Sequence, residues 1–367
     1  MMTNYLSQKI RVVSLLCMVM VVMVHAYNLP ERYLHAMSMV QAPMTLNNFL
    51  QLFLGNGFSR FAIPLFFMIS GYLNFPKPDV PYRDVAWKRF RTVFVPYLLW
   101  SGFGLLLYAG VQENDFFWRA TEKAALGAYS DIPVKAYSWG QWLYRWILEP
   151  IPFQLWFLRC LFTYTLLTPL LLRGLRRAPG ILLSFFGMLW FIDFNLLIVE
   201  GMGLLFYSMG LLLRDRNIDL QQPPRWFNWP LAASLWMALL LLKTWLAFGD
   251  YTGPSTTAQL FLFRGCQALG VPVIWFGVDR LLRGRTPAPV WIALSSYTFI
   301  LYGMHAPLLH VISEGMFLTY GESDTTRWWV YLVTVTAVTG VCLGFGWLLK
   351  RFTPGVFSWL TGGRGVS

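Results

Sequence analysis

Long apolar runs, separated by short polar segments, extend along almost the whole chain of 367 residues. Each run reaches or approaches the roughly 20 residues that an α-helix needs to cross a bilayer. The first run follows two basic residues, and because no small-residue cleavage site comes after it we interpret it as an uncleaved span. The pattern predicts a single-domain, all-α polytopic bundle over residues 1–367, with about ten transmembrane helices. The predicted spans are residues 11–28, 58–75, 93–111, 153–173, 180–195, 196–213, 229–247, 258–282, 290–313 and 328–350.

The distribution of basic residues predicts how these spans are oriented. If the N-terminus is cytoplasmic, the segments that face inward carry nineteen Lys and Arg residues, and those that face outward carry seven. Cytoplasmic loops are enriched in Lys and Arg, so both termini are predicted to lie in the cytoplasm. The largest outward loop, 112–152, has aromatic residues at helical spacing over 139–146, which predicts a helix along the outer interface.

Composition supports a membrane protein and limits the other classes. Hydrophobic residues make up 56% of the chain and charged residues 13%, against about 25% charged in a soluble domain. The formal net charge is +12, but the basic residues occupy short loops instead of one stripe, which argues against nucleic-acid binding. The four cysteines lie within apolar runs without CxxC spacing, so we predict packed thiols and neither disulfides nor a zinc site.

Ionisable residues inside predicted spans are costly, and they commonly mark a site or a pathway. Helical rise places His25, His305 and Lys243 at a similar height in the outer half of the membrane. Five further charges lie near the same level, namely Arg60, Arg159, Asp193, Glu200 and Arg264. These eight residues predict a hydrated cavity; the alternatives are cations that extend to the headgroups and carboxylates that pair with them between helices. His35 is interpreted as a loop residue and His310 as a core imidazole.

A second group of charges lies at the opposite, inner interface. The second span ends in Ser70 and Tyr72, and three cations, Lys88, Arg89 and Arg91, precede the third span. Arg and Lys side chains so placed suit the phosphates of a soluble donor. An orientation signal combined with anionic-lipid contact is the alternative interpretation of the same cations.

Four motifs, in order along the chain, resemble the acyltransferase-3 family of bacterial membrane proteins. Segment 60–73, RFAIPLFFMISGYL, is similar to the family's second-helix signature. Segment 88–91, KRFR, leading to VPY at 95–97, is similar to its basic third-helix entry. LWFL at 155–158, and SYTF followed by YGMH within 296–305, also match. The resemblance covers the order and spacing of the spans over nearly the full length.

The family resemblance implies acyl transfer, commonly of acetyl from acetyl-CoA, to sugar hydroxyls of envelope or exported glycans. It also implies an essential Arg and an essential His on the first span, and the His corresponds to His25. The family pattern usually places the Arg eleven residues earlier, where this chain has Ser14. Arg11, fourteen residues before His25, shares the same helix face. The family's Arg-x-x-Arg motif on the third helix has Lys88 in its first place here, with Arg89 as the alternative.

Each group that acyl transfer from a thioester to a hydroxyl requires can be assigned to these residues. His25 is the predicted general base, because imidazole transfers protons near neutral pH, and Arg11 is the second catalytic residue of the first span. Arg159 or His305 is predicted to contact the oxyanion. The donor phosphates are assigned to Lys88, Arg89 and Arg91, and the pantetheine arm to Ser70 and Tyr72. The predicted glycan contacts are Arg60, Trp156, Glu200 and Tyr302.

The predicted function is that of a membrane O-acyltransferase in the bacterial inner membrane, with acyl-CoA as co-substrate and no permanently bound cofactor or metal. The predicted partners are acyl-CoA, an envelope glycan or lipid-linked sugar as acceptor, and membrane lipids, with no nucleic acid. A transporter or flippase for an anionic or glycolipid substrate is the alternative, since charges at matching depth suit it too. A structural membrane subunit comes third, because it explains the buried charges least.

Overall fold

The computed structural model describes residues 4–29, 39–76, 79–122, 128–249, 253–282 and 288–365. Outside these ranges lie His35 and some of the basic residues that were counted for orientation, namely Arg32, Lys77, Lys123, Arg283 and Arg285.

Sixteen α-helices account for most of the regular structure of the described residues. They are α1 Asn4–His25, α2 Leu46–Gly55, α3 Ala62–Leu73, α4 Tyr82–Arg89, α5 Val95–Val111, α6 Asp115–Glu122, α7 Trp139–Ile147, α8 Trp156–Arg177, α9 Pro179–Phe191, α10 Gly201–Asp215, α11 Trp229–Leu246, α12 Gly253–Leu282, α13 Pro289–Ser295, α14 Thr298–Tyr320, α15 Asp324–Phe352 and α16 Pro354–Thr361. A π-helical segment, Phe90–Phe94, joins α4 to α5, and 3-10 turns occupy Phe58–Phe61, Val134–Ala136 and Phe153–Leu155. Hydrocarbon leaves no water for backbone groups, so a chain that pairs them within helices is expected. The predicted all-α fold is confirmed.

Seven helical stretches among the described residues are long and apolar enough to cross a membrane, or eight if one bent pair counts as a span. The multi-pass fold is thereby confirmed, while the count of ten and the cytoplasmic termini stay predictions. The difference arises at predicted spans 180–195 and 196–213. These form α9, of 13 residues, and α10, of 15 residues, each about 20 Å long. A hydrocarbon core of about 30 Å exceeds that length.

Polar residues and a sharp bend explain two differences in helix boundaries. The predicted second span, 58–75, continues back to Leu46. There Thr45 caps the helix by accepting a hydrogen bond from the backbone N–H of Asn48 at 3.2 Å. The predicted ninth span, 290–313, is two helices, α13 and α14, that meet at an angle of 61°.

The chain divides into two compact units, each assembled from segments that are distant in sequence. Unit 1 comprises Met1–Phe66, Asp219–Ser295 and Gly315–Gly340. Unit 2 comprises Phe67–Ile218, Ser296–Glu314 and Val341–Ser367. The single domain over residues 1–367 stays a prediction.

Within unit 1, α11 and α12 pack closely through a glycine. A Cβ atom on Gly270 would lie 3.0 Å from the indole of Trp236. The indole N–H of Trp236 donates a hydrogen bond to the carbonyl of Cys266 at 2.9 Å. Small residues of this kind let transmembrane helices approach until side chains and backbone are in contact.

Within unit 2, α3 and α10 approach backbone to backbone. A Cβ atom on Gly71 would lie 2.0 Å from the carbonyl oxygen of Tyr207, and one on Gly210 would lie 2.0 Å from that of Met68. The hydroxyl of buried Tyr207 is 2.8 Å from that of Thr168 on α8. The crossing of α3, α8 and α10 is therefore fixed by both contact and hydrogen bonding.

Candidate active site

The predicted site residues divide between the two units. Unit 1 contains His25, Arg11 and Arg60. Unit 2 contains the other ten, which are Arg159, His305, Lys88, Arg89, Arg91, Ser70, Tyr72, Trp156, Glu200 and Tyr302. The first-span pair thus belongs to one unit and the predicted donor-binding cations to the other.

His25 is the last residue of α1 and is half-buried. A polar network follows directly in the sequence. The side-chain amide of Asn28 donates to the carbonyl of Arg327 at 3.0 Å, and the amide of Gln51 donates to Asn28 Oδ1 at 2.9 Å. His25 therefore stands where the apolar helix ends and a hydrogen-bonded polar region begins, a setting that suits proton transfer.

Arg11 reaches the end of α13. Its Nε donates to Ser295 Oγ at 3.2 Å and its Nη2 donates to the carbonyl of Ile292 at 3.1 Å. A basic side chain on the last carbonyls of a helix satisfies acceptors that lack partners within the helix. These contacts give Arg11 an anchoring role, and its catalytic role stays a prediction.

Lys9 was counted only as an orientation charge, yet it is fully buried in unit 1. Its Nζ forms an ion pair with Asp279 Oδ2 at 2.8 Å and lies 3.9 Å from the centroid of the Trp275 ring. The hydroxyl of Tyr5 donates to the second oxygen of Asp279 at 2.6 Å. This buried pair was missed because α12 carries Asp279 about 270 residues away in the sequence.

Burial also tests the alternative interpretation that the cations of unit 1 extend to the lipid headgroups. Lys243 is fully buried and Arg264 is 5% exposed. Side chains that extend to the headgroups keep their charged ends in water, so that interpretation is wrong for these two residues.

In unit 2, His305 is fully buried on α14 with one ring nitrogen fixed. Nδ1 lies 3.1 Å from the carbonyl oxygen of Leu301 and 2.9 Å from that of Tyr302. Because carbonyls only accept, Nδ1 carries the proton in the neutral imidazole and Nε2 holds the lone pair. Neutral His305 is then a proton acceptor at Nε2, which fits a base better than an oxyanion donor.

Arg159, on the first turn of α8, is the other candidate for the oxyanion contact. It is 9% exposed, and its Nε and Nη1 atoms make no hydrogen bond within the described part of the chain. A buried guanidinium with unused N–H donors is suited to a charge that develops on a substrate.

The start of α8 is held in place by its contacts with α14. Gln154 donates its side-chain N–H to the carbonyl of Gly303 at 3.0 Å, and Tyr302 donates its hydroxyl to the carbonyl of Gln154 at 2.6 Å. Trp156, the first residue of α8, is half-buried, and its ring centroid lies 6.0 Å from that of Phe67. Tyr302 and Trp156 therefore flank the turn that presents Arg159, and their glycan contacts stay predictions.

Glu200 caps α10. Its Oε1 accepts a hydrogen bond from the backbone N–H of Gly203 at 2.6 Å, and its backbone N–H and carbonyl both bond to the hydroxyl of Tyr164. A carboxylate at a helix N-terminus accepts hydrogen bonds from backbone N–H groups that lack partners in the helix, and its charge interacts favourably with the helix dipole. These contacts show a structural role, and its contact with the glycan stays a prediction.

The three predicted phosphate-binding cations occupy different environments. Lys88 and Arg91 are exposed, whereas Arg89 is half-buried and its charge acts on the phenol of Tyr207. The π-helical segment begins directly after Arg89. Such segments often occur at functional sites because the extra residue redirects side chains. The structure thus separates Arg89, the alternative first residue of the motif, from Lys88.

Two further arginines, interpreted from the sequence only as orientation charges, lie in the same unit. Arg364 donates to the carbonyl of Thr92 at 2.7 Å. Burial, with the positive charge of Arg89 as a second cause, lowers the pKa of Arg364 to about 10, so it is protonated at neutral pH. Arg214 donates to the hydroxyl of Tyr72 at 2.9 Å. We call Arg89, Arg214 and Arg364, which all belong to segments predicted to face the cytoplasm, the inner arginine group.

The C-terminal turn that carries Arg364 is shaped by glycine. Gly362 and Gly365 have φ angles of 62° and 73°, which glycine adopts without strain. A Cβ atom on Gly362 would lie 2.3 Å from the Thr92 carbonyl, and one on Gly365 would lie 2.4 Å from that of Ser296. A Gly-Gly-Arg-Gly stretch was the only sequence signal for this turn.

Tyr72 and Ser70 lie near the end of α3. Tyr72 is 8% exposed, and the guanidinium of Arg214 lies 5.0 Å from its ring centroid. Ser70 is half-buried, and its carbonyl accepts from the backbone N–H of Asn74 at 2.9 Å. Tyr72 therefore belongs to the same region as the inner arginine group, and the contacts of both residues with a pantetheine arm stay predictions.

The cysteines and possible metal ligands add no further site within the described chain. All four cysteines, Cys17, Cys160, Cys266 and Cys342, are buried free thiols, as predicted. No group of three or more His, Cys, Asp or Glu side chains that could hold a metal occurs among the described residues.

Comparison with known proteins agrees with the helical architecture. The acyltransferase-3 family, described as an acyltransferase domain, matches residues 10–347. The succinoglycan biosynthesis protein ExoH of Rhizobium meliloti is 24% identical over 323 residues, covering 86% of this chain and 83% of that protein. No solved structure matches the chain significantly. Since the family match extends over almost the whole chain and the helices are long and apolar enough to cross a bilayer repeatedly, the protein is a multi-pass membrane acyltransferase of the acyltransferase-3 family.

Proposed function

We propose that this protein transfers an acetyl group from cytoplasmic acetyl-CoA to a hydroxyl of an envelope or exported polysaccharide, in the bacterial inner membrane. Family membership supports acyl transfer over transport. The role of the similar protein in succinoglycan biosynthesis supports a polysaccharide acceptor.

The inner arginine group is the observation that carries the choice of donor. Arg89 directly precedes the π-helical segment, and Arg364 donates a hydrogen bond to the Thr92 carbonyl within it at 2.7 Å, so both arginines adjoin this segment. Like charges repel, so their proximity is most stable when an anion lies between or beside them. Coenzyme A supplies such anions in its phosphates, which guanidinium groups bind through paired N–H donors.

The transfer itself forms a C–O bond, breaks a C–S bond and moves one proton from oxygen to sulfur. The acceptor hydroxyl oxygen attacks the thioester carbon while a base removes its proton, giving a tetrahedral oxyanion. The C–S bond then breaks, and the proton returns to the departing thiolate, which leaves as the free thiol of coenzyme A. His25 is the proposed base, and Arg159 is the proposed contact for the oxyanion.

Histidine substitutions test the assignment of the base. Acyl transfer by purified protein would be measured for His25→Ala and His305→Ala, with His310→Ala as the control. We expect His25→Ala to lose at least a hundredfold in kcat, since base catalysis typically contributes 10²–10⁴. Retention of more than about a tenth of the activity in His25→Ala would overturn its role, and a hundredfold loss in His305→Ala would then assign the base to His305.

Acyl-CoA turnover tests the proposed function as a whole. Purified protein in detergent would be incubated with acetyl-CoA, and release of the free thiol would be followed with a thiol reagent. We expect slow hydrolysis without acceptor and faster thiol release when a polysaccharide acceptor is added. Absence of thiol release under both conditions would refute acetyl-CoA as the donor.

A further inference from the structure

One aromatic ring in unit 1 is surrounded by three cationic side chains. The guanidinium carbons of Arg60 and Arg264 each lie 5.6 Å from the centroid of the Phe263 ring, and Nζ of Lys243 lies 5.5 Å from it. These residues come from the 3-10 turn before α3, from α12 and from α11. We call Arg60, Lys243 and Arg264 the Phe263 cation cluster.

Two of the three cluster residues, Lys243 and Arg264, are buried, which makes their charge costly. Lys243 is fully buried, and its Nζ donates a hydrogen bond to the backbone carbonyl of Asn56 at 2.8 Å. The carbonyl and the ring of Phe263 are both neutral. A cation–π contact contributes roughly 0.5–2 kcal/mol, whereas moving a cation into a protein interior costs several kcal/mol. The neutral contacts of Lys243 therefore offset only part of this cost.

Two buried amides next to Lys243 have unused hydrogen-bonding capacity. The side-chain nitrogen and oxygen of Asn56, which is fully buried, make no hydrogen bond within the described chain. Gln259 is also fully buried; its Nε2 donates to the carbonyl of Lys243 at 2.9 Å, but its Oε1 has no partner there. An unsatisfied buried amide costs about 1–3 kcal/mol. Unpaired buried groups of this kind are explained by a polar ligand or by water.

The surroundings of the cluster favour a ligand that arrives from the lipid. On α11, the residues before Lys243, Leu241 and Leu242, are exposed, and so is Trp245 after it. In a membrane protein such residues contact acyl chains. An amphiphile with a phosphate head could place its chain on this surface and its head among the cations.

We propose that the Phe263 cation cluster, with the side-chain N–H of Asn56, binds the phosphate or diphosphate group of a lipid-linked acceptor. This site deepens the proposed function and rests on it, because it assigns the acceptor's lipid carrier rather than the acyl donor. The cations would hold the phosphate oxygens, and the N–H of Asn56 would donate to a further oxygen.

Binding measurements with defined phosphates test this site. Farnesyl diphosphate, inorganic pyrophosphate and coenzyme A would each be titrated into purified protein by calorimetry. The variants are Lys243→Met and Arg60→Gln. Lys243 is fully buried, so its replacement could prevent folding; Arg60 is half-buried, and its replacement is expected to leave the fold intact. Arg280→Gln is the matched control, since Arg280 is an exposed arginine at the other end of α12.

We expect each cluster variant to weaken farnesyl diphosphate binding about tenfold or more, as loss of one charge-assisted hydrogen bond predicts. The control should bind like wild type, and coenzyme A binding should not change in any variant. Equal binding of pyrophosphate and farnesyl diphosphate would refute a lipid source. Unchanged farnesyl diphosphate binding in both cluster variants, or a loss of coenzyme A binding, would overturn the site.

Acetyl-CoA hydrolysis by the same preparations separates this proposal from the proposed function. If the wild-type protein hydrolyses acetyl-CoA but does not bind farnesyl diphosphate, the lipid phosphate site is rejected and the proposed acyltransferase function still stands. If the protein binds farnesyl diphosphate but does not hydrolyse acetyl-CoA, acetyl-CoA is rejected as the donor and the lipid phosphate site still stands.

Discussion

Replacing Arg159 by methionine should separate catalysis from stability. The side chain is 9% exposed in unit 2, and neither Nε nor Nη1 makes a hydrogen bond within the described chain. Burial of a cation costs several kcal/mol unless partners offset it. Methionine has a similar length and no charge, so the variant should unfold at the same temperature as wild type or a higher one.

The same substitution should lower activity strongly. One preorganised oxyanion contact typically contributes 10²–10³ in kcat, or about 2.7–4 kcal/mol of transition-state stabilisation. The contact forms only when negative charge develops, so the KM for acetyl-CoA should change little. Arg159→Met is therefore expected to lose at least about a hundredfold in kcat without losing stability.

Arg145→Met is the matched control for this prediction. Arg145 is another buried arginine of unit 2, with 0% exposure, but its Nη1 lies 3.3 Å from Glu149 Oε2 in an ion pair. Its removal leaves the carboxylate without that partner and should cost on the order of 2 kcal/mol. Thermal unfolding in detergent and thiol release from acetyl-CoA would be measured for both variants. A fall in Tm for Arg159→Met equal to that of Arg145→Met, or a kcat within about threefold of wild type, would refute the reasoning.

Three further predictions concern the donor site, the packing of α10 and the orientation of the chain in the membrane. Arg364→Gln should weaken coenzyme A binding about tenfold and reduce its salt dependence, whereas Arg351→Gln, at an exposed position, should change neither. Calorimetry at two salt concentrations measures both variants. Equal effects would contradict coenzyme A binding by the inner arginine group. Gly210→Ala should lower Tm, because its Cβ would lie 2.0 Å from a backbone carbonyl and overpacking costs about 1–3 kcal/mol. Gly110→Ala, whose Cβ would have no atom of the described residues within 4 Å, should not lower it. Lys123→Cys should react with an impermeant thiol reagent added to intact cells, and protection from it would reverse the predicted orientation.

The sequence alone determined the class of fold and the order of the elements. Apolar runs near the thickness of a bilayer require backbone groups to pair within helices, so length and hydropathy suffice to predict them. The motifs at 60–73 and 296–305 led to the family because they are contiguous in the chain. The aromatic spacing over 139–146 likewise predicted α7, which the structure confirms.

Tertiary structure decided where spans end and which charges meet. Helices α9 and α10, predicted as spans 180–195 and 196–213, have 13 and 15 residues, fewer than the roughly 20 that a crossing helix usually has. Hydropathy averages over a window and does not register where a capping residue such as Glu200 starts a helix.

The charges show the same limit most clearly. A positive residue beside an apolar run has the same sequence signature whether it marks orientation, pairs in a buried site or binds an anion. Lys9 is paired with Asp279 from a distant helix, and Arg364 is brought near Arg89 by a glycine turn at the other end of the chain. Lys243 joins two arginines around Phe263. Because electrostatic interaction depends on distance in space and on burial, only the fold could assign these roles.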